Sequence, residues 1–488
     1  MHSRAIGREL PLPPGNDSVS PARRVEARPS GSYQGVRSRG ANALVVVLLS
    51  PFALLTTGWV QRVLLGIVVL DIPFQFGTHF FYREYDSDRG ALGGLSVSVS
   101  TVALAGLYVA WFVSSLVNRD REARTSLRFS VPLVIYFAVT ALSVVVAEDS
   151  GLALFQVFLL LETCLLYFYV ANNVRTRKDA LFVISTLLVG CLLESAVIVV
   201  MKFTVTQATS WNLPIHLHGA VGKEGLLRSG GTIGTPNTAA AYLSLLLAPA
   251  ASLLFVNLGR TYRLLAGAVL LLGGIALILT FSRGGWIAFA LAAIALCLFV
   301  WRRRGLSLRT PIAIVVVVAL LLLPFQSLIS QRLLGDDKGS AESRIPLIRL
   351  ALRITADHPF LGVGANNFTI VMDRYLTAEF RSGFLYAVHN TFLLILAETG
   401  IFGLLAYLAF LLGTLRAGWQ CWKFNDGFFS VIALGFAAGL AGHMVQMSVD
   451  IFNDSPIAHL VLLIAGLVVA MQRICVAEQH SGALSARA

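Results

Sequence analysis

Apolar runs of about 20 residues recur from Ala41 to Arg473, separated by short polar breaks. A helix rises 1.5 Å per residue, so a run of about 20 crosses the hydrocarbon core of a bilayer. The runs are 42–57, 60–78, 93–117, 127–147, 152–171, 180–202, 238–257, 264–281, 285–301, 311–331, 390–413, 428–449 and 456–473. The first two are short and nearly continuous, broken only by Thr56-Thr57-Gly58 and Gln61-Arg62. No alternating segments of about ten residues, the mark of a transmembrane barrel, appear. The pattern predicts an all-α polytopic membrane protein.

Charge orients these runs. Only 13% of the 488 residues are charged, against about 25% in soluble proteins, and the mean hydropathy is +0.75. The net charge of +12 does not point to nucleic acid, because Lys and Arg gather in short breaks between apolar runs. Asn118–Arg128, Asn172–Lys178, Gly259–Arg263, Trp301–Arg309 and Arg416–Lys423 are basic, so the positive-inside rule makes them cytoplasmic. Alternation then puts 79–92, 148–151, 203–237, Ser282–Gly284, 332–389 and 450–455 on the outer side. Residues 1–40, rich in Pro, Gly, Ser and Arg, read as a disordered cytoplasmic tail, and 475–488 as a second one. No apolar h-region opens the chain, so no cleaved signal peptide is expected. Thirteen crossings would put the Arg-rich tail outside. The tail's charge outweighs the count, so about twelve spans are expected within 41–474, with 42–78 as one crossing or a half-inserted pair.

The outer loop 332–389 is long for a compact fold, and such loops are often functional. Within it, Ser343 suits an N-cap and Pro346 a first helical turn. Arg349 and Arg353 are i,i+4 neighbours on one face, and Ile345, Ile348 and Leu352 recur on another. The segment predicts an amphipathic helix lying on the outer membrane–water boundary.

Four polar constellations fall on the outer side: 228–237 with Arg228 and Asn237, 280–286 with Arg283, 344–368 with Arg344, Arg349 and Arg353, and 388–403 with His389, Asn390 and Glu398. Arginine beside glycine suits a diphosphate, since guanidinium bonds phosphate oxygens bidentately and small neighbours allow close approach. A histidine titrates near neutral pH and can act as general base. No DxD-like, Walker or zinc spacing is visible in these loops, so no metal or other cofactor is expected. The five cysteines are scattered, and neither a disulfide framework nor a zinc site is expected.

Each residue has a plainer reading. Arg228 and Arg283 would serve as snorkelling anchors at span ends, Arg349 and Arg353 as a solvated helix face, and His389 as a helix cap. Glu398, nine residues into its helix, would hydrogen-bond a neighbour, as would Glu162, Glu194 and Asp71. Asp450, Asn453 and Asp454 cluster at an outer helix end, placed to orient His389 or to bind sugar hydroxyls.

The stretches R-x-x-G-x-x-G-x-P-N at 228–237, S-R-G-G-W at 282–286, H-P-F-L-G-V-G-A-N-N-F at 358–368 and H-N-T-F-L-x-x-L-A-E-T-G-x-x-G at 389–403 occur in order on one side. Together they resemble the O-antigen ligase and Wzy-type polymerase superfamily, over about 220–415. The resemblance implies an inverting, metal-independent glycosyltransferase of the bacterial inner membrane, working on the periplasmic face. It implies a glycan donor on undecaprenyl diphosphate and a glycan or lipid A-core-type acceptor. By motif, His389 takes the place of the essential base, and Arg228 and Arg283 those of diphosphate binders. Arg344, Arg349 and Arg353 match less closely. The tail and loop 79–92 look like additions to the family pattern. Ligase and polymerase remain open, and a transporter or flippase of lipid-linked oligosaccharides is the rival class; it predicts internal repeats and mid-membrane charges, whereas here the polar groups crowd one side.

Overall fold

The computed structural model describes residues 58–117, 127–204, 218–221, 227–304, 323, 326–327, 330, 344–377, 385–424 and 428–485. All of them fall within one unit, Leu54–Ala488. Eleven of the thirteen apolar runs coincide with a helix. They are α1 (Gly58–Phe74), α2 (Val99–Val117), α3 (Val131–Ser143), α4 (Ser150–Asn173), α5 (Arg177–Thr204), α6 (Pro236–Leu254), α7 (Arg260–Leu279) and α8 (Arg283–Arg304). After the loop helix α9 (Arg344–Asp357) come α10 (Thr391–Lys423), α11 (Phe429–Met447) and α12 (Ser455–Ser485). Among the described residues, eight helices are long and apolar enough to cross a membrane, and α2 and α3 contribute shorter apolar stretches. This is a multi-pass membrane protein. The tail 1–40, the run 42–57 and nearly all of 311–331 lie outside the described residues.

The described fold is mostly helical, as expected of an all-α membrane protein, with two small additions. Two short antiparallel pairs occur, β1 (Gly77–Phe80) with β2 (Leu95–Ser98), and β3 (His218–Val221) with β4 (Leu227–Gly231). Backbone between helices must find partners for its N–H and C=O groups, and these loops do so by pairing with themselves. The apolar run at 93–117 therefore begins as a strand.

The basic breaks share one end of the helices. Arg62 pairs with Asp179 at 3.0 Å, and Arg177 with Glu478 at 2.6 Å. The Arg128 N–H donates to Asn172 at 2.8 Å, and Arg473 donates to the Val174 carbonyl at 2.7 Å. Arg62 lies at the start of α1, so α1 is a helix of its own that begins at the basic end. Helices starting at the far end carry side-chain caps. Asp149 accepts from Leu152, Thr235 from Thr238 and Asn390 from Leu393, at 3.0, 3.2 and 3.0 Å. At the centre, α6 and α11 are buried on nearly every side. Small residues allow this: a Cβ on Gly439 would stand 2.8 Å from the Leu245 carbonyl of α6.

A second, smaller core lies at the far end. Leu347, Leu350, Ala351 and Ile354 of α9 pack with Val363, Phe368, Met372, Ala387, Val388 and Leu394. The stripe of α9 that packs on the protein is distinct from the apolar face read from Ile345 and Leu352. Ile345 and Leu352 are exposed, and the buried stripe is rotated away from them onto the protein. The helix is apolar on most sides, so periodicity alone admits both phases, and packing against α10 selects one.

That core also rests on a break in α10. Gly400 adopts φ 68°, ψ −170°, a conformation that a side chain would strain. The carbonyls freed there are met by the loop before it. The Val363 and Gly364 N–H groups donate to Ala397 and Glu398 at 3.0 Å each, and the Ile401 N–H donates to Pro359 at 2.9 Å. Gly362, also at positive φ, passes so close that a Cβ would collide with the Glu398 backbone. The H-P-F-L-G-V-G and E-T-G stretches are thus two halves of one joint.

Candidate active site

The segment from Gln446 to Asp454, linking α11 to α12, is the hub of the far end. Asn390 donates to the Ser448 carbonyl at 2.8 Å while its own Oδ1 caps α10. Arg344 donates to the Val449 carbonyl at 2.7 Å. The Thr391 N–H and hydroxyl both donate to the Asp450 carbonyl at 3.0 Å. On the other side, Gln446 donates to the Asn237 carbonyl at 3.4 Å, and Thr238 to the Asp454 carboxyl at 3.0 Å. Gly284, next to Arg283, would place a Cβ 3.6 Å from Val449. Arg228 of β4 reaches the same turn, donating to the Thr280 carbonyl at 3.0 Å and to Asn237 Oδ1 at 2.7 Å.

His389 sits at the rim of this hub. Ala387 and Val388, both buried, anchor the segment that carries it, and the Ala387 N–H donates to the Arg89 carbonyl at 2.8 Å. Its ring lies 5.3 Å from that of Tyr386. Burial pushes the imidazole down to about 4, and the Arg344 charge adds to the effect. His389 is therefore neutral at physiological pH and offers a lone pair. Burial pushes the Asp450 carboxyl up to about 6, against the pull of Arg344 and Arg228. Asp454 is raised to about 6 as well, by burial. One imidazole, two guanidinium groups and two carboxyls thus share one electrostatic environment, with Arg283 at the adjoining helix start.

Residues 266–408 match the protein family described as O-Antigen ligase. This stretch is an O-antigen ligase-type domain. No curated protein sequence matches the chain. The O-antigen ligase domain contains Arg283, Arg344, Arg349, Arg353, His389, Asn390 and Glu398, whereas Arg228, Asn237 and Asp450 lie outside the matched stretch.

The structure separates the sequence candidates of the O-antigen ligase domain and its flanks into groups. His389, Asn390, Arg344, Asp450, Arg228, Asn237 and the Arg283 turn meet around Gln446–Asp454. Arg349 and Arg353 lie on the exposed side of α9, about 8 Å and 14 Å beyond Arg344 along the helix. Glu398 belongs to the joint instead, accepting the Phe368 N–H at 3.2 Å. It also lines a cavity of about 70 Å³ with Tyr136, Thr140, Gln156, Thr399 and Asn453. Sequence reasoning missed Tyr386, Gln446 and Lys202. The Lys202 ammonium stands 5.2 Å from the centroid of Phe281, on the turn that carries Arg283. Gln446 and Lys202 carried a readable signal, being polar side chains at the far ends of apolar helices.

Proposed function

We propose that the protein is an inverting glycosyltransferase that moves a glycan from a polyprenyl diphosphate, such as undecaprenyl diphosphate, to a hydroxyl acceptor on the outer face of the membrane. The observation that carries this reading is the convergence of a neutral, half-buried histidine with arginines from three separate elements at one end of an O-antigen ligase-type domain. The lipid tail of the donor stays in the bilayer while its diphosphate lies among Arg228, Arg283 and Arg344, where guanidinium charge offsets phosphate charge. His389 accepts the proton of the acceptor hydroxyl through its neutral nitrogen. The acceptor oxygen bonds to the anomeric carbon as the bond to the diphosphate oxygen breaks on the opposite face, and the configuration inverts. The diphosphate leaves as an anion held by the arginines. A bound diphosphate beside His389 raises the imidazole's affinity for that proton, countering its depression by Arg344. Asn237 holds Arg228 through its Oδ1, and the Asp450 carboxyl lies in the field of Arg344 and Arg228.

The active side, by this reading, is the periplasmic face of a bacterial inner membrane, and the acceptor is a glycan or a lipid A-core-type lipid. Ligase and polymerase share this chemistry and differ only in the acceptor. The test is transfer from a polyprenyl-diphosphate-linked oligosaccharide by purified protein in nanodiscs. Inverted anomeric products lost in His389→Ala support the reading; vectorial movement of the lipid-linked glycan with no bond formed would replace it with a flippase.

A further inference from the structure

The segment between β1 and β2 has no role in the reaction above, yet it touches the site. The Arg89 carbonyl takes the Ala387 N–H two residues before His389, and Asn453 donates to the Gly90 carbonyl at 3.0 Å. A Cβ on Gly90 would stand 2.8 Å from the Tyr386 ring. Asn366 grips both backbone groups of Leu92, at 2.7 and 2.9 Å. The segment is therefore a fixed wall of the His389 site.

Its exposed surface is unusual in composition. Phe80, Phe81, Tyr82 and Tyr85 are 48, 77, 54 and 71% exposed, with Glu84 and Asp88 exposed among them. Phe81 also adopts φ 56°, a left-handed conformation that is sterically costly for a bulky residue. Strain that burial does not repay, at a residue turned to the outside, points to a role beyond folding. The segment's cations are committed elsewhere: Arg83 pairs with Asp149, and Arg89 with Asp373 at 2.5 Å. Its free charge is acidic, which disfavours an anionic lipid surface.

Resting on the glycosyl-transfer reading, we propose that Phe80–Asp88 is a carbohydrate subsite that holds the acceptor glycan against the His389 wall. Aromatic faces pack on the C–H faces of pyranose rings, and carboxylates accept hydrogen bonds from sugar hydroxyls. This surface adjoins the His389 segment through Arg89, which donates to the Tyr85 hydroxyl at 3.2 Å and whose carbonyl takes the Ala387 N–H.

The test reads binding without turnover. Full-length protein in nanodiscs is titrated with oligosaccharides released by mild acid from the surface polysaccharide of the producing cells, followed by saturation-transfer NMR. Phe81→Ala and Tyr85→Ala should each weaken binding roughly tenfold, the loss of one aromatic contact, while Tyr85→Phe binds within about twofold of wild type. Unchanged affinity in both alanine variants overturns the proposal. A second arm places Phe81→Trp in phosphatidylcholine–phosphatidylglycerol vesicles containing brominated lipid. The emission that Phe81→Trp adds over wild type, quenched by sugar addition but not by bromine, supports the subsite; strong bromine quenching of that added emission makes the segment a membrane anchor and overturns it. Because neither arm needs catalysis, a failure of the transfer reading leaves these results interpretable by themselves.

Discussion

Two polar clusters meet on α10, one at its start and one at Gly400, and they spend their hydrogen bonds in opposite ways. At Gly400 the partners close on backbone. Asn366 holds Leu92 and Leu152, and Asn367 accepts from the Asp149 N–H and donates to the Asp149 and Ala365 carbonyls. These amides carry no charge and stitch the loop to α4. At the helix start the residues are ionisable. Arg228, Arg344, Asp450 and His389 act on one another's charge as well as on backbone. Both stretches look alike in sequence, as Gly- and Asn-rich polar breaks. The proposed chemistry belongs to the one that concentrates charge beside a neutral imidazole.

The comparison can be broken most sharply by His389→Ala. Removing a general base should cost about 10²–10⁴-fold in turnover, with membrane insertion and melting unchanged. Asn366→Ala should do the reverse. It removes three hydrogen bonds from the joint, a loss of roughly 2–4 kcal/mol. Thermal unfolding in detergent should drop by several degrees, while transfer per folded molecule stays within about threefold. Comparable losses of activity in both variants, at equal folded protein, would erase the distinction.

Arg344→Ala sharpens the charged side. Arg344 helps hold the His389 imidazole below its ordinary range, so its removal lets the imidazole take a proton more easily. The base form is then lost at higher pH as the solution is acidified. The acid limb of the pH–rate profile should move up by about one unit, with donor KM rising. A limb that stays in place or moves down would separate Arg344 from His389. The smallest effects belong to Arg349→Ala and Arg353→Ala. On the exposed side of α9, each should change transfer less than about threefold, and a larger change in donor KM would return them to the diphosphate site.

The sequence made the helices and the charged residues of the site legible, because apolar runs and Arg–Gly or His–Asn breaks are local signals. It was blind where tertiary packing decides. Leu347 and Leu350 face the core while Ile345 and Leu352 stay exposed, because α10 and Met372 lie on the Leu347 side. Leu95–Ser98 pairs as a strand because Gly77–Phe80 stands opposite. Glu398 hydrogen-bonds a neighbour, as its place nine residues into α10 suggested, but the partner is the Phe368 N–H across the joint, 30 residues away, which no periodicity reveals. Asp450 and Arg228 are 222 positions apart and meet only through the fold.

The most direct test of the central claim is single-turnover transfer by His389→Ala in nanodiscs, with a saturating polyprenyl-diphosphate-linked donor and Asn366→Ala as the parallel control. The account predicts that His389→Ala still binds donor but transfers at least about a hundredfold more slowly, while folded Asn366→Ala transfers nearly as wild type. Near-normal transfer by His389→Ala would contradict it.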